Sequence, residues 1–551
     1  MNITEIKTKY IFCSYCENRH FMLKYQKKQQ KEVVELKKLL AIILTAAMLF
    51  SLCAPAVYAQ GNETEGCNCG VLPTIYVGPL GNTDIYAYPD TENEKTLFRP
   101  DTGAIVKIVL GILPALGIML FTNNYDVFGD ALIKVVYDAM GDMRLDGNGD
   151  SLSHVDVKID LPTETSHKIG ESYYFNYDWR LDPIEVAGQF NEFVQHVKKL
   201  TGHDKVNLRA SSMGGVVTMA YFKEYGYKDV DACIFQCCPI LGTDVAGDLL
   251  SRKLALDSKA LLEYAKGGYP PFDFGSAALN VLFNVLYYSG LVDLVYGFAG
   301  NILDNLQDRV FDELLTPVFG TLLGLWSFVP DSAYEEAKKI NLDPETQAGL
   351  IAKADYYHYE VQCKAEEILN DSIDNGVRVM IVAGYDIQRT PLVENMYNDS
   401  DATVDTKYAS AGATVALRGE TLGDDYQQKN CDCGHNHVSP EGDIDASTCI
   451  LPEHTWFIKG MLHSNCHDGI MEMYNWFMYG DEYYDVWSNP LYTQYLENDK
   501  PNLRVKAMGN FAEGAEKPTY EPGDSFYDKY SKYAAPVFDT ITGLLDKVMA
   551  A

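Results

Sequence analysis

The hexapeptide Ala210-Ser211-Ser212-Met213-Gly214-Gly215 constrains this chain more than any other stretch. It follows Val206-Asn207-Leu208-Arg209-Ala210, which reads as a strand, and precedes a helical pattern from Met213 to about Tyr225. A strand that turns directly into a helix leaves little room at the turn. The residues two before and two after its apex must be small, or their side chains collide with the neighbouring strand and helix. Ala210 and Gly214 meet that demand on both sides of Ser212. Such a turn lifts the Ser212 hydroxyl above a sheet. It also sets the Met213 amide at the start of a helix whose dipole favours negative charge. A small-x-Ser-x-Gly string arises by chance in 551 residues. The strand before it and the helix after it make Ser212 a candidate nucleophile.

The rest of the chain repeats the strand–helix rhythm. Thr74-Ile75-Tyr76-Val77 is a short β-rich run that ends in a turn, Gly78-Pro79-Leu80-Gly81-Asn82. Strand patterns recur at 154–160, Tyr173–Tyr177, Val230–Cys237, Val377–Ala383 and Thr455–Ile458. Residues 184–199 carry Ala187, Phe190, Val194 and Val197 at helical spacing. Alternation of this kind predicts an α/β fold, a mostly parallel sheet wrapped by helices. Residues 241–370 break the rhythm with helical, Leu-, Phe- and Tyr-rich sequence, and read as a helical cap inserted into the sheet domain. The expected organisation is a leader at 1–59, a first core part at 60–240, the cap at 241–370, a second core part at 371–480 and a C-terminal extension at 481–551.

Charge narrows the partners. Residues 1–59 hold 9 Lys/Arg against 4 Asp/Glu, and the remainder holds 36 against 73. An acidic body of this kind repels phosphate backbones, which argues against nucleic acid as a partner. The basic excess has its own explanation. Lys24, Lys27, Lys28, Lys31, Lys37 and Lys38 precede an apolar run from Leu39 to about Ala54, and then Val57-Tyr58-Ala59. That is the order of a secretory signal, with export and cleavage after Ala59 expected and Met22 the more usual start. The competing reading is an uncleaved anchor. Ten of the 13 cysteines lie beyond Ala59. Export permits disulfides, but Cys233, Cys237 and Cys238 sit on a buried strand pattern and read equally well as core thiols.

A nucleophilic serine needs a base and an acid, and this class of sheet supplies them after late strands in the order Ser, Asp, His. Asp401-Ala402-Thr403-Val404 follows the Val377–Ala383 strand, and Gly460-Met461-Leu462-His463 follows Thr455–Ile458. Asp401 and His463 are therefore the candidate acid and base, with His467 the alternative base.

Four separated segments together resemble the lecithin:cholesterol acyltransferase family of α/β-hydrolases, which includes phospholipid:diacylglycerol acyltransferases. Gly78-Pro79-Leu80-Gly81-Asn82 is similar to the family's G-x-L-G-N turn. Tyr177-Asp178-Trp179-Arg180-Leu181 matches its Y-D-W-R-L motif, and Ser212-Met213-Gly214-Gly215 its S-M-G-G elbow. Asp401-Ala402-Thr403-Val404 resembles its D-x-T-V loop, and Leu325–Pro330 is similar to a further segment. The likeness spans about residues 74–470. Two departures stand out: Ser211 occupies the place of a usual His, and Gly78 follows Val77 without the usual P-G start. The resemblance implies an α/β-hydrolase fold, Ser212 as nucleophile, Asp401 as acid, His463 as base, and the amides of Leu80 and Met213 as the oxyanion hole.

These readings converge on an exported serine ester hydrolase or O-acyltransferase acting on lipid esters, with transient contact to a lipid surface. The chemistry requires no metal and no organic cofactor. An esterase or amidase on a soluble substrate is the alternative, and a non-catalytic binding protein on the same fold is the alternative from another class. Oligomeric state is not legible in the sequence. Asp178 and Arg180 read as a local ion pair that fixes a loop near the elbow. Cys431-x-Cys433-Gly434-His435-x-His437 packs four metal-type ligands into seven residues, but a disulfide-tethered or solvated loop is the plainer reading. Asp146-Gly147-Asn148-Gly149-Asp150 lacks the Gly at position six and the Glu at position twelve of a calcium loop. Apolar residues 108–121, interrupted by Pro114, read as a buried helix, with an interfacial segment as the alternative.

Overall fold

The computed structural model describes residues 69–520, except 100–101, 166–167, 269–283, 285–286, 289–290, 431–432, 464–465, 481–483 and 513. The leader, Cys431 and part of the 241–370 stretch lie outside the described residues.

Among the described residues, eight strands form the main sheet. They are β1 (Thr74–Val77), β2 (Tyr173–Phe175), β3 (Val206–Ser211), β4 (Val230–Gln236), β5 (Arg378–Tyr385), β6 (Thr455–Lys459), β7 (Tyr495–Asp499) and β8 (Arg504–Gly509). Their spatial order is β8-β7-β6-β5-β4-β3-β1-β2. Every pairing is parallel except β7 with β8. The protein is thus α/β with a mostly parallel sheet. The 481–551 stretch, read from the sequence as an extension, supplies two strands of this sheet at one edge.

Side-chain alternation explains why the central strands are apolar throughout. On β4 and β5, Cys233, Phe235, Val379 and Ile381 face one core, while Ala232, Ile234, Met380 and Val382 face the other. Both faces are covered, so neither set of positions turns polar. The first core is closed by α1 (Pro183–Thr201), α2 (Met213–Tyr225), α3 (Ala348–Tyr357) and α4 (Ala365–Asp374), and the second by α5 (Asp468–Tyr479). Helix α1 shows its start and stop signals plainly. Asp182 caps it by accepting from Ile184 N, Pro183 opens it, and Gly202 closes it in the left-handed conformation at φ 71°.

The described residues of the 241–370 stretch divide between two apolar clusters. Leu323, Trp326, Val329, Tyr334, Leu350, Tyr357 and Ile368 belong to the main core, so the later helices flank the sheet. The helix Leu291–Val310 instead joins Thr102–Thr122 and Tyr125–Met140 in a separate small cluster built on Ala115, Met119, Phe128 and Leu306. Thr102–Thr122 runs through Pro114 and buries Ala115 and Met119, yet leaves Phe121 86% exposed. Among the described residues, no helix is long and apolar enough to cross a membrane. The Asp146–Asp150 segment is a self-capped turn: Asp146 Oδ1 accepts from Asn148 N and Asp150 N at 2.8 and 3.0 Å. Cys233, Cys237, Cys238 and Cys449 are buried free thiols.

Candidate active site

Ser212 sits between β3 and α2 at φ 53°, ψ −121°, a backbone conformation that side chains rarely adopt. The strain is held from several sides. Ser212 N donates to Gln236 O at 3.0 Å, tying the turn to β4. A Cβ on Gly215 would stand 2.4 Å from Cys238 Cβ, so the helix can pack this close only because Gly215 has no side chain. Met213 is the first helical residue. Its N–H is among the donors with no carbonyl inside the helix.

His463 Nε2 is 2.8 Å from Ser212 Oγ, and His463 Nδ1 is 2.8 Å from Asp401 Oδ2. With a carboxylate at Nδ1, the imidazole proton sits on that nitrogen, and the Nε2 lone pair faces the serine hydroxyl. The same two residues are joined through the backbone, since His463 N donates to Asp401 O at 2.8 Å. Asp401 Oδ1 accepts from Thr403 N and Val404 N at 2.9 and 2.7 Å. That explains the short D-x-T-V spacing: the loop wraps its own carboxylate and leaves one oxygen for the histidine. Asp401 is fully buried, Ser212 is nearly so, and the His463 side chain is 16% exposed. His467 lies elsewhere. Its Nδ1 accepts from Gly469 N at 3.1 Å to cap α5, and its Nε2 donates to Asn498 Oδ1 at 2.8 Å.

The Gly78–Asn82 turn reaches the elbow at the end of β1. It is closed by Asn82 N donating to Pro79 O at 3.2 Å. The Tyr177–Leu181 segment clamps it: Tyr177 Oη donates to Gly78 O at 2.7 Å, and Trp179 Nε1 donates to Thr83 O at 3.3 Å. Arg180 Nε and Nη2 hold Asp178 bidentately at 2.9 and 2.5 Å, with Nη1 on Met143 O at 3.0 Å. Both side chains are buried. A buried pair of this kind is a positional device: loss of one partner leaves an uncompensated charge worth about 3–5 kcal/mol.

Several residues around the acid carry no sequence signal. Cys237, at φ 51°, directs its thiol to Asp401, and burial together with the Asp401 charge holds that thiol well above the ordinary range. Its sulfur lies within 4.8 Å of the Asp401 carboxylate and of a His463 ring nitrogen. Arg389 Nη1 meets Asp405 Oδ1 at 2.8 Å with both groups fully buried. Asp405 Oδ2 accepts from Thr243 Oγ1 and Asp244 N at 2.9 and 2.8 Å. This network pins the residue just after Val404. Gly384 on β5 completes the approach, because a Cβ there would lie 2.3 Å from Met461 O and 2.8 Å from Asp401 Cβ.

A hydroxyl facing a neutral imidazole that is itself oriented by a buried carboxylate is suited to nucleophilic attack on a carbonyl. No protein-family model matches the chain, and no curated protein matches it.

Proposed function

We propose that this protein is a serine ester hydrolase of the α/β-hydrolase class. The observation that carries the reading is the unbroken chain Asp401–His463–Ser212, with 2.8 Å at each step. Support also comes from the strained turn at Ser212 between a parallel strand and a helix, and from the Ser, Asp, His order along the chain. In the reaction, His463 takes the Ser212 proton while Ser212 Oγ bonds to the ester carbonyl carbon. The negative charge on the carbonyl oxygen is held by the amides of Met213 and Leu80. Collapse expels the alcohol, protonated by His463, and water or a second alcohol then releases the acyl group by the same steps reversed.

Within that class we assign the chain to the lecithin:cholesterol acyltransferase-like group, acting on carboxylic esters of lipids. The four motif segments support this, and so does the apolar surface left by Ile118, Leu120 and Phe121, which suits contact with a lipid surface. The leader pattern supports export. The test is labelling with a fluorophosphonate followed by peptide mapping. We expect modification at Ser212 alone, lost in Ser212→Ala with the fold retained. Undiminished labelling of the Ser212→Ala protein rejects the assignment.

A further inference from the structure

We propose that Cys433, His437 and Glu453, with His435 beside them, form a structural site for a soft divalent cation such as zinc. The ligand atoms of the first three lie within 4.8 Å of one another. Cys433 Sγ is 3.3 Å from His437 Nε2. Two ligands of one tetrahedral zinc, at about 2.3 Å for sulfur and about 2.0 Å for nitrogen, stand about 3.5 Å apart. His435 Nδ1 is 3.6 Å from Glu453 Oε1, so a second imidazole borders the carboxylate at a similar spacing. One thiolate, imidazole nitrogen and one carboxylate make a borderline-soft donor set that suits zinc over magnesium or calcium.

The groups behind these ligands are arranged for coordination. His437 is 1% exposed, and its Nδ1–H donates to Gln494 Oε1 at 2.9 Å. The Gln494 amide is fixed in that sense, because its Nε2 donates to Pro452 O and Thr455 O at 2.7 and 3.3 Å. The proton is thereby kept on Nδ1, and the Nε2 lone pair is turned toward Cys433. Metal-bound histidines are commonly oriented through their far nitrogen in this way. The backbone N–H of His435 donates to Cys433 Sγ at 3.4 Å, a bond that strengthens when the sulfur is a thiolate. The His437 backbone is held as well, with N donating to Gln428 Oε1 at 2.6 Å and O accepting from Tyr495 Oη at 2.7 Å.

Position in the fold gives the role. Pro452–His454 lead into β6 and Gln494 leads into β7. Both lie at the end of the parallel sheet opposite the one from which Ser212 and His463 emerge. A cation here clasps the 428–454 loop to the sheet and takes no part in ester chemistry. The proposal is therefore independent of the hydrolase reading.

The test uses the full chain without an affinity tag, stripped with a chelator and titrated with Co²⁺ alone. We expect saturation at one equivalent, a thiolate-to-cobalt charge-transfer band, tetrahedral d–d absorption, and displacement by Zn²⁺. Cys433→Ala should lose the band while Ser212 still labels with fluorophosphonate, and Glu453→Gln should weaken Co²⁺ binding about tenfold or more. Because the decisive spectrum is read on the unmutated chain, a folding defect in either variant cannot hide the answer. Absence of a charge-transfer band in the unmutated chain overturns the site. So does a band that survives in Cys433→Ala, or peptide mapping that finds Cys433 in a disulfide.

Discussion

The Val77 carbonyl oxygen occupies the space that a side chain on Gly214 would need: a Cβ built there falls 2.1 Å from that oxygen and 2.7 Å from the Val77 carbonyl carbon. The contact couples the end of β1, where the Gly78–Asn82 turn begins, to the first turn of the helix that follows Ser212. Backbone, unlike the tip of a flexible side chain, cannot step aside without moving the turn. We expect Gly214→Ala to cost at least about 1–3 kcal/mol, the range for overpacking a close-packed interior. It should also slow acylation by displacing Met213 N from the oxyanion. Thermal unfolding and fluorophosphonate labelling rates measure the two effects, and an unchanged labelling rate would show that this contact does not set the elbow.

The acid–base pair makes a different prediction. Asp401→Asn keeps the shape of the side chain, and the remaining oxygen can still accept from Thr403 N and Val404 N. What it loses is the charge that fixes the His463 proton on Nδ1. We expect kcat to fall by about 10⁴, as for a triad whose histidine is left in the wrong tautomer. His467→Gln removes a cap of α5 and a bond to Asn498, so it should lower the melting temperature while leaving kcat within a few-fold. If His467→Gln were the more damaging in kcat, the base would have been misassigned.

Asp399 gives a pH dependence. Burial, reinforced by the neighbouring Asp386 carboxylate, pushes its carboxyl up to about 8. Its unfolded value is about 3.9. Between these values the folded protein holds a proton that the unfolded chain has released. Stability from this group is therefore greatest below about pH 4, falls as pH rises, and levels off above about pH 8. Asp399 Oδ1 accepts from Asp386 N and Ser400 N at 2.6 and 2.7 Å, and an amide oxygen can take both bonds. Asp399→Asn should thus raise the melting temperature at pH 8.5 more than at pH 5. Equal shifts at the two pH values would mean that Asp399 ionises normally in the fold.

Legibility in the sequence followed burial. Strands β3, β4 and β5 lie in the middle of a parallel sheet, and their near-continuous apolar sequence announces them. β7 and β8 lie at its edge, and Tyr495-Leu496-Glu497-Asn498-Asp499 carries three polar residues in five, which no strand pattern captures. The same omission kept His467 open as the alternative base, because Asn498, the group that engages it, is on the unread strand. Ser212, Asp401 and His463 were legible because each follows a strand in a fixed order. Cys237 and the Arg389–Asp405 pair were not, because their role rests on contacts between distant segments. The helical run at 241–370 is hard to place from sequence for a related reason. Amphipathic helices that cover a sheet and helices that cover a site share one composition, so Trp326, Tyr334 and Leu350 looked like cap residues and are main-core residues.

The substrate reading can be tested by acyl-chain length. The helices Thr102–Thr122, Tyr125–Met140 and Leu291–Val310 make a cluster separate from the main core, with Ile118 and Leu120 about half exposed and Phe121 86% exposed beside the buried Ala115 and Met119. Exposed apolar side chains grouped on one helix end gain most from contact with another apolar surface. A long acyl chain or a lipid aggregate offers such a surface, and a short ester does not. With p-nitrophenyl esters we expect kcat/KM to rise from acetyl to longer chains, by up to about tenfold per few methylenes buried. Phe121→Ser should flatten that rise while leaving turnover of the acetyl ester within about twofold, because Phe121 is remote in sequence from Ser212 and its proposed part is lipid contact and not the chemistry. A steep preference for acetyl over longer chains, unchanged by Phe121→Ser, would reject the lipid substrate and favour an esterase acting on soluble compounds.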